Sequence, residues 1–366
     1  MTNYIKKKLD KLKYYNKIFI INFLVLFLFF LIIELIFNLF FNKYNFGFYA
    51  RELRNQKIPV NVEIEDIKYK YFYLRNDLGF HGDNIDPKEI KILFQGGSTG
   101  DELFLPPQFR IVNKLNQKFL NDNYDINIIN ASKGGKSTRG IVWDFYYWLN
   151  KIKDFSPRVV IFYIGLNDTG ILDNQYDYLE NKGFVKRSED YIKNQSFFYN
   201  VFRKIKMKYL INNKIKTRNY KLNNTLPKLY ENYQYINYQN AKKKYHNYKL
   251  SNEDIVMINN FEDNLNNLNK IISEKKFTPI FITQIKFNGL NDIQLYLINE
   301  HLKYFSKKNN YKIIKLDEKI INLQKDFFYD ENHTTIKGSE FISEVLYPDL
   351  KIILEETYFL DIIKKN

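Results

Sequence analysis

From Ile90 onward, short apolar segments alternate with segments of helical periodicity, and this alternation narrows the fold more than any other feature of the chain. Ile90 to Phe94 reads as a buried strand, and Phe109 to Leu120 has helical spacing through Ile111, Val112, Leu115, Phe119 and Leu120. Ile126 to Ile129, Arg158 to Ile164, Pro279 to Ile285 and Lys312 to Leu316 read as further strands. Helix-like stretches lie between them: Gly140 to Ile152, the face Phe261, Leu265, Leu268, Ile272, and Leu295 to Phe305. Such alternation predicts an α/β chain with a central parallel sheet covered on both faces, a three-layer α/β/α arrangement. Sheets of this kind hold their chemistry at the carboxyl ends of the strands.

Polar blocks stand at those ends. Gly96-Gly97-Ser98-Thr99 follows the first strand, and Asn130-Ala131-Ser132-Lys133-Gly134-Gly135 follows the second. Gly165-Leu166-Asn167-Asp168 follows the third, and Asp330-Glu331-Asn332-His333 follows the last. A serine becomes a nucleophile when an imidazole takes its proton and a carboxylate orients that imidazole, and Ser98, His333 and Asp330 supply the three groups. Gly134 and Gly135 both offer a backbone N–H unobstructed by a Cβ, with spacing favouring Gly135. A helix opening at Ser98 would add positive potential from its N-terminus, with Asp101 and Glu102 in its first turn facing that dipole. Asp168 is expected to hold its own loop by local hydrogen bonds. His81, His246 and His301 lack a context comparable to that of His333.

These four blocks, in this order, resemble those of the SGNH (GDSL-type) hydrolases. The usual Gly-Asp-Ser stands here as Gly96-Gly97-Ser98, as in that family's GGST branch, whose proteins are often membrane-anchored. Asn76-Asp77-Leu78-Gly79-Phe80-His81-Gly82 is similar to a turn of the same branch, with His81 where arginine is usual. The resemblance covers roughly residues 74–348, apart from most of 171–255. It implies a flavodoxin-like SGNH fold, Ser98, His333 and Asp330 as catalytic residues, and an oxyanion hole of the Ser98 and Gly135 N–H groups with the Asn167 side chain. It implies no metal or organic cofactor. Two other motifs are weaker. Gly96-Gly97-Ser98-Thr99-Gly100 fits the elbow of α/β-hydrolases, but here the serine follows the first core strand. Lys133-Gly134-Gly135-Lys136-Ser137 approaches a P-loop but lacks the first glycine, since Asn130 stands there.

The N-terminal segment Ile18 to Phe41 is nearly continuous Ile, Leu, Phe and Val, long enough to cross a bilayer as a helix. It ends without small residues for signal-peptide cleavage, which predicts a signal anchor kept in the protein. Glu34 is its one acidic residue, an expensive group at membrane depth. Six lysines precede the span (Lys6, Lys7, Lys8, Lys11, Lys13, Lys17), so the N-terminus is expected in the cytoplasm and the bulk of the chain outside it. The formal net charge of +15 comes from dispersed lysine in a chain rich in Asn, Ile, Tyr and Phe, as A/T-rich codons would give. Without a compact basic stripe, nucleic acid is not an expected partner. Cysteine is absent, which removes disulfide and thiolate chemistry.

The expected organisation is a basic tail at 1–17, an anchor at 18–41, a connecting region at 42–89 and a hydrolase-like domain at 90–366. Within the last, 171–255 breaks the alternation, is crowded with Tyr, Asn and Lys, and offers no convincing strand. It is read as an insertion, either a helical cap suited to sugars or a solvated loop. The resemblance, whose anchored members often modify acetyl groups on cell-surface polysaccharides, implies an anchored esterase or acyltransferase acting on O-acetyl esters of carbohydrate outside the cytoplasm. A lipase or lysophospholipase at the membrane surface, and a non-catalytic glycan-binding module, are the alternatives.

Overall fold

In the computed structural model the described residues are 2–41, 53–64, 67–170, 185, 188, 196–212, 218–222 and 233–358. Five parallel strands form the main sheet: β3 (Ile92–Gly96), β4 (Ile128–Asn130), β5 (Val159–Tyr163), β7 (Thr278–Ile282) and β8 (Lys312–Ile314). Their spatial order is β4-β3-β5-β7-β8. The chain leaves β3 toward β4, then returns to place β5 on the other side of β3 in register from Ile92–Val159 to Gly96–Tyr163. The connectivity therefore reverses direction at the β3/β5 crevice, where doubly wound sheets bind ligands.

Alternation along these strands, of which β3, β4 and β5 are buried throughout, sends side chains to opposite faces, and the helices divide accordingly. Leu93, Val160, Phe162 and Phe281 pack against α4 (Thr138–Tyr147), α7 (Asn252–Lys275) and α8 (Ile293–Lys308). On the other face Phe94, Ile161, Ile280 and Ile282 pack against α3 (Ile111–Asn121) and α10 (Ile336–Tyr358). The expected three-layer α/β/α architecture is what these residues build. The helix starts follow ordinary capping chemistry: Ser251 and Asp254 form a reciprocal capping box on α7, and Asp292 caps α8.

Two stretches differ from the expectation. Residues 42–89, read as a connection, carry a hairpin of β1 (Gln56–Ile64) and β2 (Ile67–Arg75), paired antiparallel from Gln56–Arg75 to Ile64–Ile67. Leu53, Leu78 and Phe80 beside it are buried in the main core. Residues 171–255, read as lacking a strand, supply β6 (Arg218–Lys221), which pairs parallel to β1. A strand of four residues, three of them polar or charged, has no apolar alternation to betray it; only its partner defines it. Residues 233–249 pack Ile236, Ala241 and the Tyr238 and Tyr245 rings on Leu166, Leu290 and Leu295. The first turn of α7 is also part of the region assigned to the insertion.

The small sheet β2-β1-β6 lies over one end of the main sheet. Val62, Ile64 and Leu222 pack with Leu105 and Tyr329, and the Phe104 ring meets Tyr220 at 4.2 Å. Leu105 follows the serine block and Tyr329 precedes the histidine block, so this sheet braces both.

Candidate active site

Asp330 and His333 sit in a tight loop closed by a bridge between Phe328 and Thr334 and by Tyr329 N–H donating to the His333 carbonyl at 3.0 Å. One Asp330 oxygen accepts the N–H groups of Asn332 (2.8 Å) and His333 (2.7 Å), while the other faces His333 Nδ1 at 2.7 Å. The loop thus fixes the carboxylate first, and the carboxylate fixes the ring. Burial works against the Asp330 charge, but the His333 hydrogen bond and charge and the two N–H donors outweigh it, holding its pKa below the ordinary value. Tyr329 stacks on the imidazole with centroids 5.7 Å apart and planes within 11°. His333 keeps 24 % side-chain exposure, so a substrate can reach it.

Ser98 opens a helix, α2 (Ser98–Asp101), of only four residues, closed by Glu102 in the left-handed region at φ 46°. So short an element carries little macrodipole, and the expected helix potential at Ser98 is corrected on that ground. Asp101 and Glu102, expected to be first-turn residues facing that dipole, are both buried and serve other purposes.

Glu102 ties the serine block to the histidine block. Its N–H donates to the Ser98 carbonyl at 2.9 Å. Its carboxyl accepts Ile111 N–H at 2.6 Å, the Thr334 hydroxyl at 3.1 Å, and the Ser339 hydroxyl. Thr334 is the neighbour of His333, so one buried carboxyl joins the turn after Ser98 to the residue after the imidazole. Burial pushes the Glu102 pKa up to about 7 against these donors.

Asp101 holds the glycine loop. Its Oδ2 accepts the Gly134 N–H at 2.8 Å, and Gly134 lies close enough that an added Cβ would stand 3.8 Å from Ser98 Cβ. Gly135 follows with φ +78°, exposed, with open space around its Cα. The Gly134 donor is therefore spent on Asp101, and the Gly135 N–H is the one the loop presents.

Asn167 lies in the turn after β5, entered through Gly165 at φ +115°, where a Cβ would meet Ile298 at 2.9 Å. Its Nδ2 donates to the Lys136 carbonyl at 2.8 Å, which leaves the second N–H of that amide to point elsewhere. The same Nδ2 would stand 2.1 Å from a Cβ built on Gly97. The glycine before Ser98 is thus required by the approach of Asn167. Asp168 reaches farther than the local role expected of it, accepting the N–H (3.0 Å) and hydroxyl (2.9 Å) of Thr138 and so joining the turn to the start of α4. Burial pushes its pKa up to about 7.

Ser98, Gly134, Gly135 and Asn167 thus gather at the β3/β5 crevice. Asp330 and His333 form a bonded pair whose loop is fastened to the Ser98 turn through Glu102. Sequence reasoning missed Gln284, which is buried at the end of β7. Its Nε2 donates to Thr99 Oγ1 at 2.7 Å, and its Oε1 accepts Leu166 N–H at 2.6 Å, bracing the residue beside Ser98 and the residue beside Asn167. A polar residue closing an apolar strand was the available signal, masked by reading that strand through to Ile285. His81 was also undervalued. It is buried among Tyr73, Arg75, Asp101 and Arg110, with Nε2 3.1 Å from Asp101 and 3.0 Å from the Ser132 carbonyl. Among the described residues no cluster of His, Cys, Asp or Glu is suited to a metal ion.

No family model and no curated protein matches the sequence. Solved structures similar to it include TesA, with 13 % identity and TM-score 0.42, over 72 % of this chain and 99 % of that one. The psychrotrophic esterase EstA from Pseudoalteromonas sp. gives 14 % and 0.42, over 73 % and 100 % of the two chains. The acetyl xylan esterase AlAXEase gives 11 % and 0.39, over 71 % and 98 %. At these values the likeness says nothing of activity, and the chemistry must be argued from the chain's own residues.

Proposed function

We propose that this chain is a serine ester hydrolase or acyltransferase, anchored in a membrane by its N-terminal helix and acting through Ser98, His333 and Asp330. The reading rests above all on the Asp330–His333 pair. A carboxylate preset by two backbone N–H groups and bonded to Nδ1 at 2.7 Å leaves Nε2 as the proton acceptor. His333 Nε2 takes the Ser98 hydroxyl proton as Oγ attacks the ester carbonyl carbon. The N–H groups of Ser98 and Gly135 and the free N–H of Asn167 receive the developing oxyanion, each such donor being worth about 10²–10³ in rate. Collapse of the intermediate expels the alcohol, which takes its proton from His333, and leaves Ser98 acylated. Water or an acceptor hydroxyl, deprotonated by His333, then releases the acyl group.

For the substrate we favour O-acetyl esters of a carbohydrate outside the cytoplasm. The half-exposed Ser98 and His333 and the exposed Gly134 and Gly135 suit an acyl group presented on the surface of a large molecule. The decisive measurement is labelling of the full chain by a fluorophosphonate. Wild type should label and Ser98→Ala should not; an unlabelled, folded wild type would leave only a glycan-binding role. Acetate release from acetylated glycan, compared with fatty-acid release from phospholipid, tests the substrate class. Fatty acid without acetate would overturn the carbohydrate reading in favour of a lipase. Protease digestion of spheroplasts tests the orientation, and a protected C-terminal domain would overturn it.

A further inference from the structure

Helix α1 (Thr2–Phe41) contains a stretch, Lys11–Phe37, that is long and apolar enough to cross a membrane, its most apolar 18 residues having a mean hydropathy of 2.9. Glu34 interrupts it. Its carboxylate accepts the N–H groups of Phe197 (2.6 Å) and Phe198 (3.0 Å), the opening residues of helix α5 (Phe197–Asn212). Tyr199 N–H donates to Ser196 Oγ at 3.0 Å, so the first three N–H groups of α5 are all satisfied. Ring contacts flank this cap: Phe37 stacks on Phe197 at 4.8 Å, and Phe30 meets Phe198 edge-on at 5.4 Å. The acidic residue that was costly as part of a lone span has a purpose here, since backbone N–H groups at membrane depth must find an acceptor.

The rest of α5 continues the apolar surface that begins at this contact. Phe198, Phe202, Ile205 and Tyr209 recur at intervals of three or four residues and fall on one side of the helix. Phe202 is 67 % exposed and Ile205 60 % exposed, values that aqueous solvent would penalise. The sixteen residues also hold Arg203, Lys204, Lys206 and Lys208 and no acid. An apolar stripe, a basic remainder and an end fastened to a spanning helix are together the makings of an interfacial helix.

We infer that α5 lies on the bilayer beside the anchor, its Phe202 and Ile205 side immersed among the acyl chains and its basic residues meeting anionic headgroups. The partner is the lipid surface itself. This inference rests on the membrane-anchored reading and extends it, because it gives part of the 171–255 insertion a role in holding the domain against the membrane.

The chain has no cysteine, so a single introduced cysteine can carry a fluorophore without background. Full-length Phe202→Cys and Ile205→Cys, labelled and reconstituted in phosphatidylcholine–phosphatidylglycerol vesicles, would be compared with bromine-substituted lipid as quencher. Leu24→Cys in the span and Lys153→Cys on an exposed loop serve as the membrane and aqueous references. Both test positions are exposed, so labelling displaces no packed neighbour. The expected result is loss of fluorescence at 24, 202 and 205 and none at 153. Quenching at 24 with 202 and 205 behaving like 153 would overturn the interfacial helix and leave the anchor intact. No quenching at 24 would remove the anchor, and this inference with it, while leaving fluorophosphonate labelling as an independent measure of the chemistry.

Discussion

Two of the imidazole–carboxylate pairs among the described residues, Asp330–His333 and His81–Asp101, do opposite things. At Asp330–His333 the carboxylate is satisfied by its own loop, the ring bonds through Nδ1, and the pair keeps 24 % and 34 % side-chain exposure. At His81–Asp101 both side chains fall below 10 %, at 8 % and 7 %. There Nε2–H points to Asp101 and the Ser132 carbonyl, and Nδ1 receives Arg110 at 3.3 Å, so both ring nitrogens are occupied. Burial and the Arg75 charge push the His81 pKa down to about 4, with Asp101 opposing. Burial likewise works against the Asp101 charge, but hydrogen bonds from His81 and Tyr73 and the charge of Arg75 hold its pKa well below the usual range. A base needs an unoccupied nitrogen at an accessible surface, and only the first pair has one. The second pair holds structure: Asp101 positions Gly134, and Arg75 donates to the Ser132 carbonyl in the same loop.

If that division is right, substitutions in the two pairs should separate cleanly. The largest effect is expected from His333→Ala, which should slow fluorophosphonate labelling by about 10⁴-fold or more with little change in Tm. Equal labelling in that variant would remove the distinction altogether. Asp101→Ala should act on stability, costing about 3–5 kcal/mol in chemical denaturation because buried Arg75 loses its counter-charge. Gly97→Ala tests the site without touching either pair. Its Cβ would displace the Asn167 amide, so labelling should fall about 10²–10³-fold while far-UV circular dichroism is unchanged. The smallest effects lie in the pH dependence of Tm. His81, with its folded pKa lowered, makes stability fall as pH drops from about 6.5 toward 4, because the unfolded chain binds the proton first. Glu102, with its pKa raised from 4.5 to about 7, has the opposite sign: stability falls as pH rises through that window. Because the two windows overlap with opposite signs, His81→Gln should leave a Tm that falls more steeply as pH rises from 4.5 to about 7, and Glu102→Gln one that falls more steeply as pH drops from about 6.5 toward 4. Parallel curves for wild type and both variants would refute the assignment of charge states.

The strands β3, β5 and β7 were legible because each is a continuous apolar run, buried on both faces, and the blocks that follow them fell at the carboxyl edge as expected. Gly134 and Gly135 could not be told apart by composition, since the choice depends on which N–H Asp101 takes. The hairpin β1–β2 was legible in principle, since Ile58, Val60, Val62 and Ile64 alternate with Pro59, Asn61 and Glu63, and Ile67, Tyr69, Tyr71 and Tyr73 continue the pattern across a short turn. Strand β6 has no such alternation, and its pairing with β1 across more than a hundred positions leaves no local trace. The reach of Glu102, Asp168 and Gln284 was hidden in the same way, because a polar residue reads identically whether it faces water or a buried partner.

The sequence alone determined the layers of the fold, the chemical groups present and the order in which they meet the sheet, since hydrophobic periodicity acts within one element at a time. Tertiary structure alone decided which imidazole stands at the surface and which is sealed between arginines. It also decided which glycine is spent, and that Glu34 caps a helix 163 residues away. These outcomes depend on burial and on the partner at hydrogen-bond distance, and neither quantity exists until distant segments are packed together.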